Sequence, residues 1–190
     1  AENEMELKEF LSKNNIILEN RVLELCQDGI EMMKGGIDPF HDENHVYRIL
    51  SDLDRFLNES QEVGKDEINF EVLLAAICWH DAWKSRKFSS HWPAYLYQLF
   101  WDGLGSMRIF AGMAKENGFD HQDAQSVKYA IRKHSRFQFL STKTIEAKIL
   151  KSLDNLDFWS LERMEKAARE IAKNGWISRP LARTARLFSK

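Results

Sequence analysis

The sequence predicts an all-α protein that forms a single domain, and three observations lead to this prediction. Apolar side chains recur at three- and four-residue spacing along most of the chain, as they do on the buried face of a helix. No segment alternates apolar and polar residues between turn signals, as a strand would. The length of 190 residues, with 29% charged and 44% hydrophobic residues, is typical of one well-packed globular domain.

The first half of the chain contains three predicted helical regions. The first covers residues 5–33 and ends at a Gly-Gly pair. The second follows Asp42, which can serve as its N-cap, and places His45 on an apolar face. The third opens near Asp66 and runs through residues 69–83. Because this third segment is apolar on nearly every side, we expect it to be the buried helix of the core.

The second half contains further predicted helices. Pro93 suits the first turn of a helix that continues to Gly118, although Gly103 and Gly105 could interrupt it. The remaining predicted helices cover residues 120–134, 141–159 and 160–175. Together these segments leave no space for a second domain with a core of its own.

Charge and cysteine content restrict the environment of the protein. The net charge of −2 disfavours a general nucleic-acid binder. Cys26 and Cys78 both lie within apolar helical patterns, which indicates buried reduced thiols and a reducing compartment. No apolar stretch reaches the ~18–20 residues that span a bilayer, and the N-terminal residues are acidic rather than basic and apolar. We therefore expect a cytoplasmic protein that does not enter the membrane.

The C-terminal segment is strongly basic. Residues 163–190 contain eight Lys or Arg against two Glu. A solvated basic end is the simpler interpretation of such a run, and an acidic partner is the alternative.

His80 and Asp81 lie at the end of the most apolar segment, where an ionised carboxylate is costly unless it is paired or binds a metal. Both side chains are good ligands for divalent transition metals. Further ligands would have to come from other helices, and two residues satisfy that condition. His45 faces inward on its helix, and Asp154 shares an otherwise apolar face with Asp157.

Four sequence segments together extend over about residues 38–157 and occur in the order FHDENHVYRI, LLAAICWHDAWK, AIRKHS and ILKSLDNLD. This ordered set resembles the HD-domain superfamily of metal-dependent phosphohydrolases. The chain is most similar to small stand-alone members of that superfamily. The resemblance implies an HD-domain helical bundle with a metal site between core helices.

The resemblance also implies roles for individual residues. The expected metal ligands are His45, His80, Asp81 and Asp154, around a divalent transition metal such as Mn, Fe, Co, Ni or Zn. The expected catalytic residues are Asp81, Asp157 and His134, with Asp157 behind the ligands and His134 at the pocket edge. The expected substrate-binding residues are Arg48, Lys84, Arg86, Lys87 and Lys133. His41, by contrast, is expected at the surface or the pocket rim, beside the capping residue Asp42.

This sequence departs from the usual pattern of the superfamily in three places. Ser152 precedes Leu153 where many members carry an acidic residue, and FWSLER replaces a glycine-rich continuation. The stretch WKSRKFSSHW, which follows His80 and Asp81, contains no acidic residue close behind the pair. These departures concern the choice of substrate more than the binding of metal.

The expected reaction is hydrolysis of a small phosphate ester or nucleotide by metal-bound water. One alternative is an HD-type oxygenase with two irons, for which His134 and His41 are the available extra ligands. The other is a binding module with a structural metal, in which the basic C-terminal segment contacts an acidic partner or nucleic acid.

Overall fold

The computed structural model contains only helices and their connections in the residues that it describes, which are 5–34, 41–59, 64–86, 92–135 and 141–160. This confirms the predicted all-α class. The helices of these residues are α1 (Leu7–Asn14), α2 (Asn20–Lys34), α3 (Glu43–Glu59), α4 (Phe70–Trp79), α5 (Ala82–Arg86), α6 (Trp92–Asn117), α7 (His121–His134) and α8 (Ile145–Phe158), with a 3-10 turn at Lys65–Glu67. The predicted helix at 160–175 and the basic segment lie outside the described residues.

Side-chain caps determine where several helices begin. Oδ1 of Asp42 accepts a hydrogen bond of 3.2 Å from the backbone N–H of His45, so the predicted cap of α3 is confirmed. Of the residues predicted to open α4, Asp66 and its neighbours, Asp66 lies in the 3-10 turn and the neighbouring Asn69 caps the helix. Asn69 caps the helix because its side-chain oxygen accepts a hydrogen bond of 3.2 Å from the backbone N–H of Val72, which would otherwise have no partner within the first turn.

The structure divides one predicted helical segment into two helices and leaves another, which was predicted to be interrupted, continuous. The region 5–33 divides into α1 and α2 at Asn15, which adopts a left-handed conformation with φ of 54° and caps α1. The interruption of α6 at Gly103 or Gly105 is not found, and α6 runs through both residues. Gly103 instead allows α6 to approach α7, because a Cβ there would lie 3.2 Å from the carbonyl oxygen of Arg132.

Helix α4 forms the centre of the core. All of its residues from Val72 to Trp79 are buried, as its apolar sequence predicts, and it packs against α2, α7 and α8. Burial of each large apolar side chain contributes about 1.5–3 kcal/mol to folding. The chain turns at His80 and Asp81 before α5 begins, so the buried apolar residues of α4 lead directly to these two polar residues.

Gly29 allows α2 to lie against the C-terminal end of α4. A Cβ at Gly29 would lie 2.7 Å from the carbonyl oxygen of Cys78 and 2.9 Å from Nε1 of Trp79. The same Nε1 donates a hydrogen bond of 2.8 Å to the carbonyl oxygen of Leu25. This contact fixes the end of α4 immediately before His80.

Cys26 and Cys78 are buried free thiols, as predicted. The hydrogen bond with Cys26, together with burial, raises the pKa of the Cys78 thiol well above its usual value. Among the described helices, none combines the length and the hydrophobicity that crossing a bilayer requires.

A buried carboxylate joins α1 to α3. Asp54 accepts hydrogen bonds from Lys13 Nζ at 2.7 Å and from Asn14 Nδ2 at 2.9 Å. Burial opposes ionisation of Asp54, but these two donors outweigh it and lower the pKa of the carboxyl group. The pair therefore holds α1 on the helix that carries His45.

We predict that Gly29→Ala lowers the free energy of unfolding by about 1–3 kcal/mol, because the new methyl group forces α2 away from Trp79 and Cys78. Gly112→Ala in α6 is the matched control, since a Cβ at Gly112 has no neighbour within 4 Å. The control should gain about 0.5–1 kcal/mol from helix propensity. Urea unfolding measures both variants, and equal changes would contradict the prediction.

We also predict a pH-dependent effect of Asp54→Asn. The folded-state pKa of Asp54 lies below its unfolded value of about 3.9, so its stabilisation is present above that pH and disappears as the pH falls through the folded pKa. At pH 7 the variant should lose about 1–2 kcal/mol, a range that allows for the exposure of Lys13. Unfolding at pH 7 and pH 3 tests this, with the exposed Asp66→Asn as control. An identical loss at both pH values would refute it.

Candidate metal centre

The structure brings the four expected metal ligands together from three parts of the chain. His45 lies in the first turn of α3, His80 and Asp81 lie in the turn between α4 and α5, and Asp154 lies in α8. All four side chains are buried, and one ligand atom from each lies within 4.8 Å of the others. This group could hold a metal ion.

The distances within the group match those between ligands of one ion. The Nε2 atoms of His45 and His80 are 3.0 Å apart. Nε2 of His45 lies 3.4 Å from Oδ2 of Asp81 and 3.4 Å from Oδ1 of Asp154. Nε2 of His80 lies 3.4 and 3.8 Å from the same two oxygens. Ligand atoms bound at about 2.1 Å with angles of about 90–110° are about 3.0–3.4 Å apart, so four of these five distances suit a single transition-metal ion. The separation of 3.8 Å between His80 and Asp154 corresponds to a wider angle of about 130° at the same bond length.

Hydrogen bonds at the other nitrogens assign the tautomers of the two histidines. Nδ1 of His45 lies 2.7 Å from Oδ2 of Asp157, and Nδ1 of His80 lies 2.7 Å from the carbonyl oxygen of Ile77. Since both partners are acceptors, each Nδ1 carries the hydrogen and each Nε2 presents a lone pair to the group. Two lone pairs at 3.0 Å repel each other unless a cation lies between them.

Burial keeps His80 neutral. It is the main cause that lowers the pKa of His80 to about 3, against the opposing charge of Asp81. A neutral imidazole is the form that binds metal, so the protonation state of His80 is already suitable at neutral pH.

Asp81 is an ionised carboxylate with no exposed surface. Burial opposes its ionisation, but Lys84 and His80 lower the pKa of its carboxyl group well below the usual range. Oδ2 faces His45 and His80, while Oδ1 lies 2.7 Å from Nζ of Lys84. Oδ2 accepts no hydrogen bond from the described residues, a costly arrangement that a bound cation would relieve.

Asp154 is held in the same form. Burial raises the pKa of its carboxyl group, but contact with the imidazoles of His45 and His80 outweighs burial, and the net shift is well below the usual value.

The charged side chains that contact one another in and around the group carry two more negative than positive charges. The carboxylates are Asp81, Asp102, Asp154 and Asp157, and the cations are Lys84 and Arg48. With the imidazoles of His45 and His80 neutral, one divalent cation balances this set of four carboxylates and two cations.

Asp157 lies behind the ligands and orients His45. Its Oδ2 accepts from Nδ1 of His45, and its Oδ1 lies 2.6 Å from Nε of Arg48. Such partners fix the ring of a metal-binding histidine and increase its basicity. Arg48 is buried in this ion pair, although the sequence suggested that it binds substrate phosphate.

The other expected site residues have different surroundings. His134 is buried, its Nδ1 donates to the carbonyl oxygen of Ile131, and its Nε2 lies 3.4 Å from Oδ1 of Asp81. Burial lowers the pKa of His134, but Asp81 and Asp102 outweigh it, and the net shift is upward.

Lys133 is partly exposed, with its ammonium 6.0 Å from the centroid of the Tyr129 ring. Lys87 and the side chain of Arg86 lie outside the described residues.

The expectation that His41 lies at the surface or the rim is wrong. It is only 6% exposed, and its Nε2 lies 3.5 Å from Oδ2 of Asp81 and 3.2 Å from Nζ of Lys84. The turn that places Asp42 at the cap of α3 also turns His41 inward. The only sequence signal for a buried His41 was its position within the segment FHDENHVYRI. Because His41 lies in a loop, no helical periodicity indicates whether its side chain points inward or toward solvent.

Sequence reasoning also missed Asp102. This buried residue on α6 lies 3.2 Å, through Oδ2, from Nζ of Lys84. A lone acid in the aromatic run YLYQLFWDGLG was the signal, and it is the same kind of signal that identified Asp81.

A separate cavity of about 600 Å³ borders Arg48 and Asp157. Five of its lining side chains are carboxylates and three are cationic, so the cavity is unsuited to a phosphate. We therefore assign the candidate chemistry to the His and Asp group alone.

Comparison of the chain with protein-family models, with curated proteins and with solved structures found no match.

We predict that Asp157→Asn lowers metal affinity by roughly 10–100-fold, because His45 loses the carboxylate that fixes its tautomer. Competition with a chromophoric chelator measures the affinity, and far-UV circular dichroism verifies folding. Asp54→Asn is the matched control, since Asp54 also lies on a helix of this core but pairs with Lys13 and Asn14. A folded Asp157→Asn protein with wild-type affinity would contradict the assigned role.

Proposed function

We propose that this chain is an HD-type, metal-dependent phosphohydrolase that acts on a small phosphate ester or nucleotide. The observation that carries the proposal is the pair of buried Nε2 atoms, 3.0 Å apart, of His45 and His80, with Asp81 and Asp154 beside them. The ordered resemblance of four sequence segments to that superfamily supports the reaction class, because it includes each of these four residues.

His45, His80, Asp81 and Asp154 would hold the metal. Nitrogen and carboxylate ligands suit Mn, Fe, Co, Ni or Zn. A divalent cation bound there supplies Lewis acidity, which lowers the pKa of water to about 7 and neutralises charge on phosphoryl oxygens.

The protein's own groups would position protons around the reaction. Asp157 is engaged on both oxygens by Arg48 and His45, which makes it an orienting group rather than a proton acceptor. Asp81 is a weak base, since the charge of Lys84 stabilises its ionised form. His134 is better suited to proton transfer, because its Nε2 lacks a hydrogen-bond partner and faces Oδ1 of Asp81.

Substrate recognition would use groups outside the innermost set. Arg48 and Lys84 already neutralise carboxylates, which leaves Lys133, Arg86 and Lys87 as the expected phosphate-binding residues.

Trp79 is part of the core, whereas Tyr97 and Trp101 are exposed on α6 with ring centroids 5.9 Å apart. This exposed pair supports a nucleotide, because a base can stack on such a surface.

The second candidate function is an HD-type oxygenase with two irons. One observation favours it: Asp81, Asp102 and His134 form a second group of metal donors next to the first. Oxygen consumption that depends on two irons, together with no phosphate release in the absence of oxygen, would select this candidate over hydrolysis.

We predict that purified protein contains a divalent metal and releases phosphate from a nucleotide or sugar phosphate under anaerobic conditions. Asp154→Ala should lose both properties, with metal affinity reduced by more than the roughly 10–100-fold typical of residues behind the ligands. Elemental analysis and a phosphate-release screen with each metal provide the measurements. The exposed Asp66→Ala is the control and should retain both properties. Full metal content in Asp154→Ala would show that the ligand set is wrong.

A further inference from the structure

Asp81 belongs to two groups of donors at the same time. Its Oδ2 faces His45 and His80, and its Oδ1 faces Lys84 and His134. On the Oδ1 side, ligand atoms of Asp81, Asp102 and His134 all lie within 4.8 Å of one another, and all three residues are buried. Nε2 of His134 is buried there without a hydrogen-bond partner. By donor type alone, this second group could take a transition metal.

The ammonium group of Lys84 lies among these donors. Its Nζ is 2.7 Å from Oδ1 of Asp81, 3.2 Å from Oδ2 of Asp102 and 3.2 Å from Nε2 of His41. These are the distances of hydrogen bonds from an ammonium, longer than the metal bonds of about 2.1 Å. Since a second ion would have to bind the same Oδ1, the ammonium and that ion exclude each other.

Local geometry fixes the ammonium in this place. Asp81 and Lys84 are three residues apart across the first turn of α5, a spacing that puts their side chains on one face. The Lys84 side chain is only 12% exposed, so water screens its ion pairs weakly.

The charge balance of the site agrees with a single metal ion. With Lys84 present, the contacting groups carry an excess of two negative charges, which one divalent cation neutralises. A second divalent cation beside Lys84 would leave an excess of two buried positive charges, which is strongly unfavourable.

We propose that the Lys84 ammonium takes the place of a second metal ion and restricts the centre to one divalent cation. The inference rests on the proposed metal centre and adds to it a residue that determines metal stoichiometry. Lys84 thereby favours hydrolysis on one metal over the two-iron alternative. Removal of its charge should open the group of Asp81, Asp102 and His134 to a second ion.

The test is the metal content of the 190-residue chain loaded with Mn²⁺. Wild type should bind one ion per chain, and Lys84→Met, which keeps much of the side-chain volume without the charge, should bind two. Electron paramagnetic resonance gives an independent readout, because an isolated Mn²⁺ gives a six-line signal and a pair of ions that share Asp81 gives a spin-coupled one. Lys84→Gln serves the same purpose if Lys84→Met does not fold.

Two controls locate the second ion. Lys84→Arg retains the charge and should remain at one ion per chain. Lys84→Met combined with His134→Ala should return from two ions to one, because it removes a donor of the second group only.

Each outcome bears on a specific claim. Two ions in the wild type, or one ion in both Lys84→Met and Lys84→Gln, would overturn the role of Lys84 while leaving the first metal centre intact. A second ion that persists without His134 would place it elsewhere and would also overturn the inference. No bound Mn²⁺ in any of these proteins would refute the metal centre itself, and with it both proposals.

Discussion

The ionised carboxylate of Asp81, with no exposed surface, is the feature on which the site depends. A buried negative charge is costly, so the surrounding structure must supply cations or lose the charge. Lys84 compensates one oxygen, and the lone pairs of His45 and His80 converge near the other. These requirements explain why α3, α5 and the turn between α4 and α5 meet at this point.

The rest of the fold holds that meeting point in place. Helix α4 is buried along most of its length and is followed directly by His80, so its apolar packing stops where the polar group begins. Gly29 allows α2 to lie against this end, and Asp42 fixes the first turn of α3, which carries His45. Stability and chemistry are therefore coupled, because the same contacts that pack α4 also orient the candidate ligands.

The donor atoms alone would allow either a centre with one metal ion or a centre with two. In our proposal, the balance of charges favours the centre with one ion. The histidines and carboxylates are numerous enough for two groups of donors, and both groups include Asp81. The ammonium group of Lys84 is part of the chain, so it cannot leave the site as a bound metal ion can, and it has no redox chemistry. In our proposal, Lys84 in the second group preserves the charge of the site and leaves one position for an exchangeable metal.

The sequence by itself determined the all-α class and indicated the four candidate ligands, because helical periodicity is a local signal and the resemblance rests on the order of four short segments. His80 and Asp81 were evident as polar residues after an apolar run. The tertiary structure alone decided that Lys84 faces Asp102 and that His41 is buried. Their partners lie on other elements, and an ion pair between distant residues leaves no periodic pattern in the sequence. Packing also decided that α6 continues through its glycines, since propensity indicates only where a helix can break.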